Sequence, residues 1–358
     1  MNFTSIIFVL SLIIGQTLSA LSTSNDYIDT KGTEFYVSFP PNFHNNPQSS
    51  CARDSLYFFI VPWESSVVTI TSRDRNGNVQ IKTINALDPS KIYTVQYTWC
   101  DFEVMGVNNS GELPTPFRQD QTKAPQHFSI NSDKEISLYV LNHAQTSSDA
   151  CLVYPTDALG KYYVVSSYIS NGVGTNFTPS QFLILAVEDD TQIDVTPSVR
   201  TTRNDVSSFS TTLNKGESYL VQSSQSIANG DLTGSIVQSN KKVAVFSGHQ
   251  RALVPYNSQT LLSRDYLLAQ MPPVETWGKN AFIVPYPTPR NSDQSGDDLY
   301  RVVAMYDSTL VFVNNIQVAI LSSGGLYQSP LTTPAKITTS KATLVSHIKK
   351  SSSAIPNS

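Results

Sequence analysis

Short runs of β-branched and aromatic residues recur along the whole chain, punctuated by Asn, Asp, Gly and Pro, while helical periodicity is nearly absent. The pattern predicts an all-β protein. In Val68-Thr-Ile70 and Ile193-Asp-Val195 a polar residue stands between two apolar ones, as a strand with one buried face requires. Residues 261–271 have the spacing of a short helix and are the one exception.

The runs repeat. Val61-Pro-Trp-Glu-Ser-Ser66, Ala186-Val-Glu-Asp-Asp-Thr191 and Ala304-Met-Tyr-Asp-Ser-Thr309 superimpose without a gap, each leading into a strand. Leu87 and Tyr93, Leu213 and Tyr219, and Leu321 and Tyr327 mark a second shared turn. A third marker ends in His143 and His249, with a looser copy ending in His347. Gly32-Thr-Glu-Phe-Tyr-Val, Gly160-Lys-Tyr-Tyr-Val and Gly278-Lys-Asn-Ala-Phe read as one opening strand used three times. The openings are roughly 120 residues apart, the size of an antiparallel sandwich with Greek-key connections. The third copy stops before the closing stretch present at 149–161 and 265–279. The fold class expected is therefore all-β, tandem antiparallel sandwich-like repeats, with two complete units and an incomplete third, which is either a truncated product or has an open strand edge. The expected layout is a signal peptide over 1–22, units over 23–159, 160–277 and 278–350, and a disordered tail over 351–358.

Residues 6–15 are apolar apart from Ser11, and small residues follow at Thr17, Ser19, Ala20 and Ser22. That is the layout of a secretory signal peptide, too short to span a bilayer. The localisation expected is secreted, with no membrane insertion. A net charge of −4 without a Lys or Arg cluster argues against nucleic acid as a partner. In a secreted chain the sequons at Asn108 and Asn176 are glycosylation candidates. Three cysteines are too few for a disulfide-built scaffold and leave one over. Cys100 and Cys151 flank the long first-unit insertion, so the expected disulfide joins them, although spacing alone does not settle connectivity.

The stretches Asp231-Leu-Thr-Gly-Ser-Ile236, Val243-Ala-Val-Phe-Ser-Gly-His249, Gln270-Met-Pro-Pro-Val-Glu-Thr-Trp-Gly278 and Tyr300-Arg-Val-Val-Ala304 resemble the IgGFc-binding protein N-terminal domain. The opening Thr30-Lys-Gly-Thr-Glu-Phe-Tyr-Val-Ser-Phe39 does too. The resemblance implies an extracellular recognition or scaffold module. It carries over no Fc-contact residue. The cysteine pair that family members often have after the Ser-Gly-His element is missing from 250–265.

The five histidines (His44, His127, His143, His249 and His347) show no metal-ligand spacing. Ser247-Gly-His249 lacks the nucleophile elbow, and the Glu188-Asp-Asp190 cluster reads as a turn that favours Asp. No catalytic residue, cofactor or metal is expected, and the chain reads as non-enzymatic. Aromatics in expected loops, Tyr97, Trp99 and Tyr256, are the candidate ligand surface. The partner expected is an extracellular protein or glycan, such as a mucin or cell-surface ligand. The alternative is a self-assembling matrix or coat component that associates through the third unit.

Overall fold

The computed structural model describes residues 29–44, 51–104, 123–172, 177–202, 208–227, 229–256, 263–286 and 298–351. The signal-peptide pattern, both sequons and residues 352–358 lie outside them. The described residues form three antiparallel, curled sheets, consistent with tandem sandwich-like repeats.

The first sheet contains β1 (Gly32–Val37), β2 (Ser55–Pro62), β3 (Ser66–Arg73), β4 (Val79–Ala86), β5 (Tyr93–Thr98), β6 (His127–Ala144) and β7 (Ser147–Val153). The second contains β8 (Gly160–Val164), β9 (Ser180–Ala186), β10 (Thr191–Thr196), β11 (Phe209–Leu213), β12 (Ser218–Gln222), β13 (Ile236–Ala252) and β14 (Asp265–Gln270). The third contains β15 (Gly278–Ile283), β16 (Asp298–Ala304), β17 (Thr309–Val313), β18 (Ile316–Leu321), β19 (Leu326–Leu331) and β20 (Ala335–Ile348).

Each sheet is organised on one long strand. The first half of β6 lies between β1 and β3, and its second half between β2 and β7. Strand β13 repeats this with β8 and β10, then β9 and β14. Strand β20 repeats it with β15 and β17, then β16 alone. Changing partners halfway lets each sheet curl over its own apolar face. The markers aligned in the sequence are this frame: Val68, Ile193 and Val311 are all fully buried. Turn chemistry agrees with it, since Asn314 and Asn315 both take positive φ in the two-residue hairpin between β17 and β18.

Burial on both faces reveals how the units stack. Strand β2 alternates buried and half-buried positions, but every residue of β9 and β16 is buried. Phe182, Ile184 and Ala186 fill the second core, while Leu183 and Leu185 on the opposite face join the first. Tyr300, Val302 and Ala304 fill the third core, while Val303 packs with Val164 and Val274 of the second unit. A strand buried on both faces loses polar alternation, which is how β9 and β16 read in the sequence.

Two expectations need correction. Residues 265–270 form a strand, not part of a helix: Tyr266, Leu268 and Gln270 point inward at period two and pair with β13. The disulfide joins Cys51 to Cys100, with Cα atoms 5.5 Å apart, and Cys151 is a free thiol. The reason is register. Strands β2 and β5 pair Ser55 with Thr98, and that ladder converges on the two cysteines at its end. Cys151 lies on β7 in the order β5–β2–β6–β7, three strand spacings or about 14 Å from the β5 side, beyond disulfide reach.

Candidate functional site, a cleft beside the open edge of the third sheet

The closing strands β7 and β14 lie side by side at the junction of the first two units, joined through side chains. The Leu268 N–H donates to Asp149 Oδ2 at 2.8 Å, and the Ser148 N–H donates to Asp265 Oδ1 at 2.8 Å. The Tyr154 N–H donates to Gln270 Oε1 at 2.7 Å. Asp149 and Asp265 thus do the same job for each other's strand. Burial pushes the Asp149 carboxyl up to about 6 against the two amides that favour its charge, and the Asp265 carboxyl also rises through burial. Burial likewise pushes the neighbouring Cys151 thiol up to about 12, so it is held protonated.

Among the described residues the third sheet has no counterpart of β7 and β14. The second half of β20 therefore pairs with β16 on one side only. Residues 344–348 are all half-buried, whereas residues 243–249 of β13 are all buried between two neighbours. Beside this open edge runs a cleft of about 760 Å³. Its walls are β14 and residues 344–351, and it reaches Ser148, Asp149 and Tyr154 of the first unit. Leu267 and Ile348 supply apolar surface, and Ser166 and Ser346 share a hydroxyl hydrogen bond of 2.9 Å. His347 stacks on Tyr286 with centroids 4.3 Å apart, its Nε2 3.4 Å from Asp298 Oδ2.

The polar side chains near the cleft are bonded within the protein. The hydroxyls of Ser167 and Ser247 donate to the backbone carbonyls of Gly248 and Ser166 respectively. His249 is fully buried; its Nδ1 accepts from the Arg251 N–H at 2.9 Å, and burial pushes the imidazole down to about 3. The bond spans the bulge in β13 between His249 and Ala252. The acidic turn is also structural, because Asp189 accepts the Lys215 N–H and its repeat partner Asp307 accepts the Ser323 N–H.

The aromatic ligand surface expected from the sequence is not a surface. Trp99, on the one-turn helix α1 (Trp99–Phe102), is fully buried and stacks on His44 with centroids 3.4 Å apart. Tyr97 faces inward on β5 and packs on Phe58, Phe102 and Phe128. Tyr256 is half-buried against the small cluster of Tyr168, Ala252, Val254 and Leu299, and its N–H donates to Tyr168 Oη. Trp277 packs at the junction of the second and third units, donating to Pro272 O.

The stacked pair leads to a buried ionic network that the sequence did not announce. His44 Nδ1 is 2.9 Å from Asp54 Oδ2 and its Nε2 is 3.2 Å from Glu103 Oε2. Asn142 Nδ2 donates to the same Glu103 oxygen at 2.6 Å. Burial disfavours the imidazolium, but the Glu103 charge and the Asp54 hydrogen bond outweigh it and raise the His44 pKa. Asp54 moves down, because the His44 hydrogen bond overcomes the burial that would raise it. Every strong acceptor here is engaged within the protein, so the cluster is a clamp beside the disulfide.

A family model described as IgGFc binding protein matches residues 149–357. The chain belongs to the IgGFc binding protein family. The match begins in β7 and covers the second and third sheets, and with them most of the cleft lining. The same region holds four of the motifs that carried the resemblance, and the structure joins two of them: Arg301 of Tyr300-Arg-Val-Val bonds Asp231 and Thr233 of Asp231-Leu-Thr-Gly. No curated protein matches the chain. Among the described residues no helix is long and apolar enough to cross a membrane.

Proposed function

We propose that this protein is a secreted, non-enzymatic recognition module that binds extracellular protein or glycan ligands, of the mucin or cell-surface class, at the cleft between β14 and β20. Family membership supports an extracellular binding role. The observation that carries the reading is the cleft itself: an open backbone edge beside apolar walls, with buried His249 bonded within β13. Such a surface offers hydrogen bonds and apolar area to a ligand.

The test is binding of the secreted chain to immobilised mucins, glycans and cell-surface glycoproteins, with IgG Fc as a separate channel. Saturable binding that a bulky substitution in the cleft, Ala269→Trp, abolishes is the expected result. A folded chain silent on the whole panel overturns the reading.

The open edge of β20 also supports self-assembly into a matrix, since an unpaired strand recruits others. A monomeric mass in light scattering at high concentration would count against that second reading.

A further inference from the structure

Three glycines open the three units, and only two of them are explained by what touches them. A Cβ on Gly32 would lie 2.3 Å from Pro155 Cβ, and one on Gly160 would lie 2.3 Å from Pro273 Cβ. Both prolines end a closing strand and begin a 3-10 turn, Thr156–Ala158 in the first unit and Val274–Thr276 in the second. An acid two residues on, Asp157 or Glu275, also comes near the same glycine. Glycine is required at 32 and 160 because a proline occupies the space a side chain would take.

The register is the same in both units. Gly32 pairs with Ile136, and extending the β6–β7 ladder from Leu138 and Val153 places Pro155 opposite Ile136. Gly160 pairs with Val243, and extending the β13–β14 ladder from Phe246 and Gln270 places Pro273 opposite Val243. The long strand is thus flanked at one level by the opening glycine and the closing proline.

Gly278 occupies the third such position, pairing with Thr343 of β20. Among the described residues the nearest atom to its Cβ position is Asn280 O, at 3.9 Å. Its φ lies outside the left-handed range, so the backbone does not require glycine there. A pocket of about 160 Å³ lies at this point, lined by Gly278, Lys279, Asn280, Ile337, Thr343 and Val345. The larger cleft continues from it along residues 344–351. Together they match the place that the closing segments fill in the first two units: a strand slot beside β20, then a proline seat on Gly278.

We infer that this groove accepts an extended strand from another polypeptide, a segment of six or so residues followed by proline and, two residues on, an acid. The inference rests on reading the cleft as the binding site. The occupant's chemistry is written twice in the chain, in the closing segments 147–158 and 265–276, and the groove continues the interface that β7 and β14 already make. Main-chain hydrogen bonds to β20 supply affinity, and the proline seat supplies register.

The test uses the full secreted chain and a labelled synthetic peptide of residues 265–276, with a scrambled peptide as control. Saturable binding of the first peptide alone is expected, with slowed hydrogen exchange at the amides of residues 344–348. Gly278→Val should weaken that binding about tenfold or more and leave the thermal midpoint of the free protein unchanged. No binding, or binding that Gly278→Val does not weaken, overturns the inference. Binding seen only after residues 352–358 are removed, or a concentration-dependent dimer that Gly278→Val dissolves, assigns the groove to this chain itself and overturns the assignment to another polypeptide. If mucin or glycan binding survives while the peptide fails, the strand inference falls and the recognition reading stands.

Discussion

The guanidinium of Arg301, on β16, is buried against Tyr168 of the second unit and forms an ion pair with Asp231 across the junction of the second and third sheets. Its other hydrogen bonds go to Ser167 O, Thr233 Oγ1 at 2.7 Å and Gln328 Oε1 at 2.8 Å. One side chain thus ties two units, and its planar fork matches several acceptors at once. Arg301→Ala leaves Asp231 and a buried carbonyl without their partner, and should cost about 3–5 kcal/mol. Arg301→Lys should recover only part of that. The unfolding midpoint in urea measures both, and an Arg301→Ala protein with the wild-type midpoint would remove the tie from the account.

The strand frame was legible because each unit writes the same apolar residue, polar turn and strand, and the shared positions Val68, Ile193 and Val311 are core in every copy. Contacts between units were not. Arg301 and Asp231 are far apart in sequence, and nothing in either motif names the other. Tyr97 and Trp99 were read as surface because their neighbours are polar, yet Tyr97 follows the inward alternation of β5 and Trp99 is needed to cover His44. Residues 265–270 carry apolar positions compatible with either period, and only pairing with β13 decides for a strand.

The cysteine arrangement has a direct readout. Non-reducing peptide mapping should recover Cys51 joined to Cys100 and an unmodified Cys151. Replacing both Cys51 and Cys100 by Ser should cost about 2–4 kcal/mol, as expected for closing a loop of this size. Cys151→Ser should leave the disulfide intact. In the native protein the Cys151 thiol should resist alkylation at pH 8, because burial holds its pKa near 12. Rapid native labelling would show that β7 opens.

Stability should decline as pH rises, for two reasons with the same sign that act in different windows. His44 has a raised folded pKa, so its contribution is complete below its unfolded value of about 6.5 and is lost as pH climbs through the folded value. Asp149, raised from 3.8 to about 6, likewise favours the folded state most at low pH, and that contribution is lost between about pH 4 and 6. Asp54 works from the other side: its lowered pKa gives stability above about 3.8 that disappears as pH falls through the folded value. Thermal midpoints from pH 3 to 9 should therefore peak near pH 4. Asp149→Asn should flatten the fall between about pH 4 and 6, and His44→Gln should lower the whole curve by stranding Glu103 and Asp54 and remove the fall above about pH 6.5. Limbs unchanged in both variants would refute the assignment.

The three opening glycines allow a comparison within one molecule. Gly32→Val and Gly160→Val each force a side chain into the proline that closes the same unit, where a Cβ alone would already stand 2.3 Å from a ring carbon. Neither proline can turn aside, because Pro155 and Pro273 are fixed by the 3-10 turns that follow and by the β7 and β14 strands before them. Overpacking of this kind costs about 1–3 kcal/mol. Gly278→Val meets open space and should leave the midpoint of the free protein where it was, since its backbone imposes no left-handed strain. If all three substitutions destabilise equally, the glycines serve the opening strand itself. If only the first two do, the small residue at 278 serves no contact among the described residues.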